Sequence, residues 1–169
     1  MNTATAINLD QLTTQEAMDT LLTVLDENDL NSKGIMISNT EAKVIQYAVA
    51  NNIQFRDYVL GLPIECGLDN ASYFLYDLIA TCKELELETY QLETIYAQFK
   101  YEQGDSATAI MLLGAGIAKE YSLARLLTRV MVSGATPAIF TAMRAELHPK
   151  VVDNLADDAD KLANDSLRG

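Results

Sequence analysis

The sequence predicts an all-α protein, a compact bundle of about eight helices, and three observations carry that expectation. Apolar residues recur at i, i+3, i+4 and i+7 in nearly every segment. Helix-capping residues stand ahead of several of those segments. No run sustains the alternation of a strand; only Ile35-Met36-Ile37, between Gly34 and Ser38, reads as a short extended piece.

The first helix opens at Thr13, whose spacing to Glu16 is that of a capping box, and its inward face is Met18, Leu21, Leu22 and Leu25. Residues 1–12 form a loose lead, 13–163 one helical domain and 164–169 a short tail. Asn28 to Gly34 is rich in turn formers. A second capping box, Ser38 to Glu41, opens a helix with Val44, Ile45, Ala48 and Val49 inward, and Asn51-Asn52 interrupts it. Phe55 to Leu60 makes a short helix ended by Gly61 and Pro63. Asp69 is the expected cap of the next helix, whose stripe is Phe74, Leu75, Leu78, Ile79 and Cys82.

Leu92, Ile95, Tyr96 and Phe99 mark the following helix. Gly104-Asp105 then supplies a tight turn, with glycine for positive φ and aspartate as cap. Residues 106–119 are apolar on most sides and predict a buried central helix. Leu123, Leu126, Leu127, Val130 and Met131 form the next stripe. Thr136 before Pro137 signals another helix start, and Pro149 is expected to open a last helix with Val152, Leu155, Ala159 and Leu162 inward.

A chain of 169 residues, 49 % hydrophobic and 21 % charged, has the composition of one globular domain. No run approaches the roughly 18 apolar residues of a membrane span, and the first residues carry neither a basic lead nor an apolar signal core. A cytoplasmic protein is expected. Cys66 and Cys82 do not make a disulfide framework and are expected as reduced thiols. The net charge of −12 is uneven: residues 1–100 hold fifteen acids and five bases, whereas 101–169 hold nine and seven. Such a field repels nucleic acid and anionic lipid, favours basic partners and keeps the chain soluble.

Two resemblances follow from particular residues. Tyr96-Ala97, Gly104-Asp105, Ala109 and Gly116 together resemble a tetratricopeptide-type helical hairpin between Leu92 and Leu127. Small residues at Ala97 and Gly116 would let the paired helices approach closely. Glu93 replaces the repeat's large aromatic residue, Tyr121 its closing proline, and no second copy stands at a 34-residue period. Gly104-Asp105-Ser106-Ala107-Thr108-Ala109, Tyr121-Ser122-Leu123-Ala124-Arg125-Leu126-Leu127 and Phe55-Arg56-Asp57 are similar to segments of an uncharacterised actinobacterial and actinophage family. That resemblance spans roughly residues 40–145; the family's larger N-terminal region and its frequent tryptophans are missing. It implies a helical fold and a phage or actinobacterial source, and no reaction.

The candidate chemistry is sparse. Gly114-Ala115-Gly116 resembles a dinucleotide-binding turn, but Lys119 stands where a third small residue is needed and 121–145 lacks the ribose-binding acid. His148 is the only histidine and is expected at a helix junction, capping or facing solvent. No histidine or cysteine spacing suits a metal, so no metal or cofactor is expected. Glu84, Glu86 and Glu88, and Asp157, Asp158 and Asp160, read as solvated acidic faces. Arg125 and Arg129, four apart, either pair with Glu120 or the acidic end, or hold an anionic ligand; Arg144 is a third cation. Among eight tyrosines, Tyr73, Tyr76 and Tyr101 are candidates for partner binding, together with Arg125 and Arg129.

Three functions fit. The first is a non-enzymatic module that docks on another protein, with a homodimer as a further association. The second is an acidic inhibitor that imitates nucleic acid in a basic groove. The third is a small-ligand enzyme using Arg125, Arg129 and His148.

Overall fold

A computed structural model describes residues 7–28 and 34–168, the side chains of Ser166 and Arg168 excepted. Among these the chain is helical throughout, with no strand. The Asn28–Gly34 break falls largely outside the described residues, as do residues 1–6 of the lead. A single 3-10 turn, Leu9–Gln11, precedes α1 (Thr14–Glu27) and α2 (Asn39–Asn51). Both of these open with complete capping boxes, Thr13 with Glu16 and Ser38 with Glu41. Ile35-Met36-Ile37 is extended but pairs with no strand; Ile35 is buried, and its N–H donates to Asp77 at 2.8 Å.

Asn52 ends α2 and at once caps α3 (Ile53–Leu60) by accepting from Phe55 N–H, so the asparagine pair is the corner that sequence predicts. The five-residue α4 (Leu62–Cys66) leads into α5 (Leu68–Glu84), which begins at Gly67 rather than at Asp69. The Asp69 carboxylate instead accepts a hydrogen bond from Gln103 at 2.7 Å and ties α5 to α6 (Tyr90–Glu102). Gly104, at φ 85°, turns the chain into α7 (Ser106–Ala118), with Asp105 accepting from Thr108 N–H as the expected cap.

Then come α8 (Ser122–Val132) and α9 (Ala138–Arg168). Pro149 does not open a new helix: it lies inside the 31-residue α9, whose first half already runs in the same direction. A proline removes one donor and disturbs one upstream carbonyl, and packing against the bundle carries the helix through it. Leu155 is buried on the expected stripe, whereas Val152 and Leu162 remain partly exposed.

The core is built around α6. Leu92, Ile95 and Phe99 face one apolar cluster shared with α1, α2, α3 and α5, while Ala97 faces a second cluster of Ala109, Leu113, Ala124, Leu127, Met131 and Phe140. The central helix is therefore α6, not residues 106–119 as composition predicts. Only Ala109, Leu113 and Gly116 of α7 are buried, and Ile110, Met111 and Ile117 are exposed. Two of the buried polar residues of α6 have partners, whereas the Gln91 Oε1 is buried without one. Glu93 meets Lys83 at 2.6 Å, and Thr94 donates to the Tyr90 carbonyl.

Candidate functional site

A half-open groove of about 440 Å³ lies between α3, α8 and α9. It exists because α8 and α9 both rest on α6 yet make little direct contact with one another. Leu123, Leu126, Leu127 and Val130 of α8 form one wall, and Phe140, Met143, Leu147 and Val151 of α9 form the other. Leu126, expected inward, is 53 % exposed along this opening. The volume falls within the range of ligand pockets, and the walls are mostly apolar, as binding grooves usually are.

The floor is polar, and its Arg144–Glu102 ion pair is internally satisfied. Arg144 donates through Nη1 and Nη2 to the two oxygens of Glu102, at 2.8 and 2.5 Å, and through Nε to the Leu60 carbonyl at 2.9 Å. Both side chains of that ion pair are almost wholly buried. Thr141 adds a donor to Glu102, and the Arg144 guanidinium lies 5.5 Å from the Phe99 ring centre. This cluster ties the end of α6 to α9 and to the last carbonyl of α3.

His148 is not exposed, contrary to the expectation from sequence; it is 4 % accessible. Its Nε2 lies 2.7 Å from Glu65 Oε1 on α4, and its ring is 5.2 Å from that of Tyr58. Nδ1 is buried without a hydrogen-bond partner among the described residues, pressed against Gly61. Since α9 continues through Pro149, residue 148 is in a helix interior facing α3 and α4, and no junction carries it to solvent. Burial also pushes up the Tyr58 hydroxyl, with the Glu65 charge adding to it.

The structure does not gather the other candidates here. Arg125 and Arg129 lie on the outer face of α8, away from the groove that His148 borders. Arg125 pairs with Glu120 at 3.1 Å, one of the two expected arrangements; Arg129 is exposed. Tyr101 is spent internally: its hydroxyl donates to the Ala135 carbonyl at 2.6 Å and its ring meets Phe140 edge-on. Tyr73 and Tyr76 are exposed on α5, and Tyr76 stands beside Tyr96. The five candidates therefore do not form one surface.

Gly114 and Gly116 sit in a helix, with no strand ahead of them, which removes the dinucleotide geometry. Both cysteines are free thiols. Burial pushes each up to about 11, with the Glu65 charge adding to the effect at Cys66, so neither is an activated thiolate. No group of three or more His, Cys, Asp or Glu side chains suited to a metal ion is found among the described residues. Nor is any helix among them long and apolar enough to cross a membrane.

Sequence reasoning missed Glu102, Leu60, Gly61 and Glu65 because they meet Arg144 and His148 across more than eighty residues of chain in three of the four pairings. The one available signal was the spacing of Arg144 and His148, four apart on one helix face. No protein-family model matches the chain, and neither a curated protein nor a solved structure does so.

Proposed function

We propose that this protein is a non-enzymatic docking module of the cytoplasm, and that the α8–α9 groove receives an amphipathic helix of a partner protein. The observation that carries the reading is the stripe of α8. Leu123, Leu126, Leu127 and Val130 form a continuous apolar edge that α9 stands opposite without closing upon it. A helix laid in that gap would cover both walls, as in helix-in-groove recognition. The Arg144 and Glu102 charges at the floor already answer one another, so what the groove offers is chiefly apolar area. Net charge favours a partner with basic residues along its solvent side. The α6–α7 hairpin, with its tetratricopeptide-like turn, acts as the brace behind α8, and the family resemblance points to a phage or mobile-element setting.

The test is affinity capture from the source cell with wild type beside L126E and M143E. Both substituted residues are half exposed at the groove, so the fold is retained. A discrete protein captured by wild type and lost with both variants supports the reading. Capture unaffected by either, or nothing above background, overturns it.

A second reading rests on the −10 carried by residues 1–100. An acidic inhibitor that occupies a basic groove in place of nucleic acid would bind through α1, α2 and α5, and its affinity would fall steeply with salt. An affinity unchanged between low and high salt removes it. For the small-ligand enzyme, separation of Arg125 and Arg129 from His148 leaves no supporting geometry.

A further inference from the structure

A cavity of about 380 Å³, separate from the α8–α9 groove, lies between α1 and the second half of α9. Met18 and Leu22 of α1 stand on one side of it, and Val152, Leu155 and Leu162 of α9 on the other, so its walls are aliphatic. Its floor is polar and comes from two other helices, Tyr58 of α3 and Glu65 of α4.

Tyr58 is only 7 % accessible, yet its hydroxyl has no hydrogen-bond partner among the described residues. The side-chain atoms sealed from solvent without a partner are Gln91 Oε1, Tyr121 Oη and His148 Nδ1, and the Tyr58 hydroxyl is not one of them. It therefore keeps an outlet, and the cavity that Tyr58 lines supplies it. Glu65 is close by, since its charge acts on that hydroxyl. Its Oε1 is taken by His148 Nε2 at 2.7 Å, whereas Oε2 has no partner among the described residues. Buried polar groups are normally paired, so a phenol oxygen and a carboxylate oxygen stand ready for a donor from outside the chain.

We infer that this cavity binds a small organic cation, a primary ammonium on an aliphatic chain, with the head on Tyr58 and Glu65 and the chain between α1 and α9. Charge selects the head. The lining holds two carboxylates, Glu65 and Asp158, and no lysine, arginine or histidine. Lys161 stands 3.6 Å from Asp158, but both are exposed, and such a pair compensates little. An anion would meet these acids without a counter-charge, in a chain of net charge −12. An ammonium has three donors, enough for the Tyr58 oxygen and Glu65 Oε2 together. The walls select the tail: Leu22, Val152 and Leu162 are still exposed, and a saturated chain would take that surface from water. From Val152 to Leu162 the α9 wall runs for about 15 Å, which suits an extended chain. This site does not rest on the docking reading of the α8–α9 groove.

Isothermal titration calorimetry of the full chain with n-octylamine, n-hexylamine, octanoate and 1-octanol tests it. At about pH 7 n-octylamine is an ammonium ion, as lysine is. It should bind at one site per chain, and n-hexylamine several-fold more weakly, because each buried methylene adds up to about fourfold. Octanoate and 1-octanol should bind at least about tenfold more weakly than n-octylamine. E65Q, which keeps an oxygen for His148, and Y58F should each weaken n-octylamine at least about fivefold. A159F fills the cavity from α9 and should abolish binding. E84Q removes an exposed carboxylate on α5 and should bind like wild type, which separates the site from general attraction to an acidic chain. Circular dichroism melts show that each variant is folded. Octanoate bound as tightly as n-octylamine, uptake at many sites, or an affinity indifferent to E65Q and Y58F overturns the inference. So does a wild type that binds no n-octylamine up to about 10 mM.

Discussion

The imidazole of His148 lies on Gly61 so closely that a methyl group at position 61 would come within 1.8 Å of Nδ1. Residue 61 has an ordinary helical φ of −85°, so the glycine is there for space and not for backbone freedom. It lets the ring of α9 reach the corner between α3 and α4, where Glu65 and Tyr58 receive it. Gly61→Ala should therefore destabilise the protein by at least about 2 kcal/mol through overpacking. Adding His148→Ala to that variant should recover part of the loss. Urea unfolding of the two single variants and the double variant gives the coupling, and simple additivity would show that the ring is not the obstacle.

Glu102 and Arg144 form the other fixed point beneath the groove. Arg144→Met leaves a carboxylate buried and unpaired and should cost about 3–5 kcal/mol. The double variant with Glu102→Leu removes both charges and should cost distinctly less than the single one. Chemical denaturation reads this directly. Equal losses in the two variants would mean that packing, not the unpaired charge, dominates.

The two glycines of α7 should respond in opposite ways. Gly116→Ala pushes a methyl group to 2.7 Å from the Ala124 Cβ and 2.8 Å from Thr94 Oγ1, where helices α6 and α8 close on α7, and should lower the melting temperature. Gly114→Ala meets open space and should stabilise the dilute protein by about 0.5–1 kcal/mol through helix propensity. Thermal melts at low concentration separate the two cases.

Acid should weaken the α7 cap. The Asp105 carboxyl is held below its ordinary value of 3.8 by its hydrogen bonds with Thr108, side chain first and backbone N–H second. A carboxyl with a depressed folded pKa stabilises the protein above the unfolded value, and that contribution is lost as pH falls through the folded one. Asp105→Asn keeps an acceptor at the cap but cannot titrate. Its stability should fall less steeply than wild type between about pH 5 and pH 2. An acid limb as steep as that of wild type would show that Asp105 does not contribute to it.

Much of the helical architecture was legible because its causes are local. Thr13 with Glu16, Ser38 with Glu41 and Asp105 with Thr108 satisfy exposed backbone donors within four residues, so the sequence shows where α1, α2 and α7 begin. Asn52 marks its corner for the same reason. The stripes of α5 and α6 carry a period that any observer of the chain can read.

The misreadings have a common physical origin. Composition made α7 the central helix, yet burial depends on which faces the neighbours cover, and α6 holds the centre between two apolar clusters, with its carboxylates Glu93 and Glu102 answered by Lys83 and Arg144. Pro149 promised a helix start, yet packing on α3 and α6 carries α9 through it. The surroundings of His148 depend on Gly61 and Glu65, which lie far from it in sequence. By itself, then, the sequence determined helix type, most helix starts and the acidic character of the chain, all set by neighbours along the backbone. Which helix is central, where α8 and α9 part, and what surrounds Arg144 and His148 were decided only when distant segments met. No local pattern encodes the gap between two helices that rest on a third.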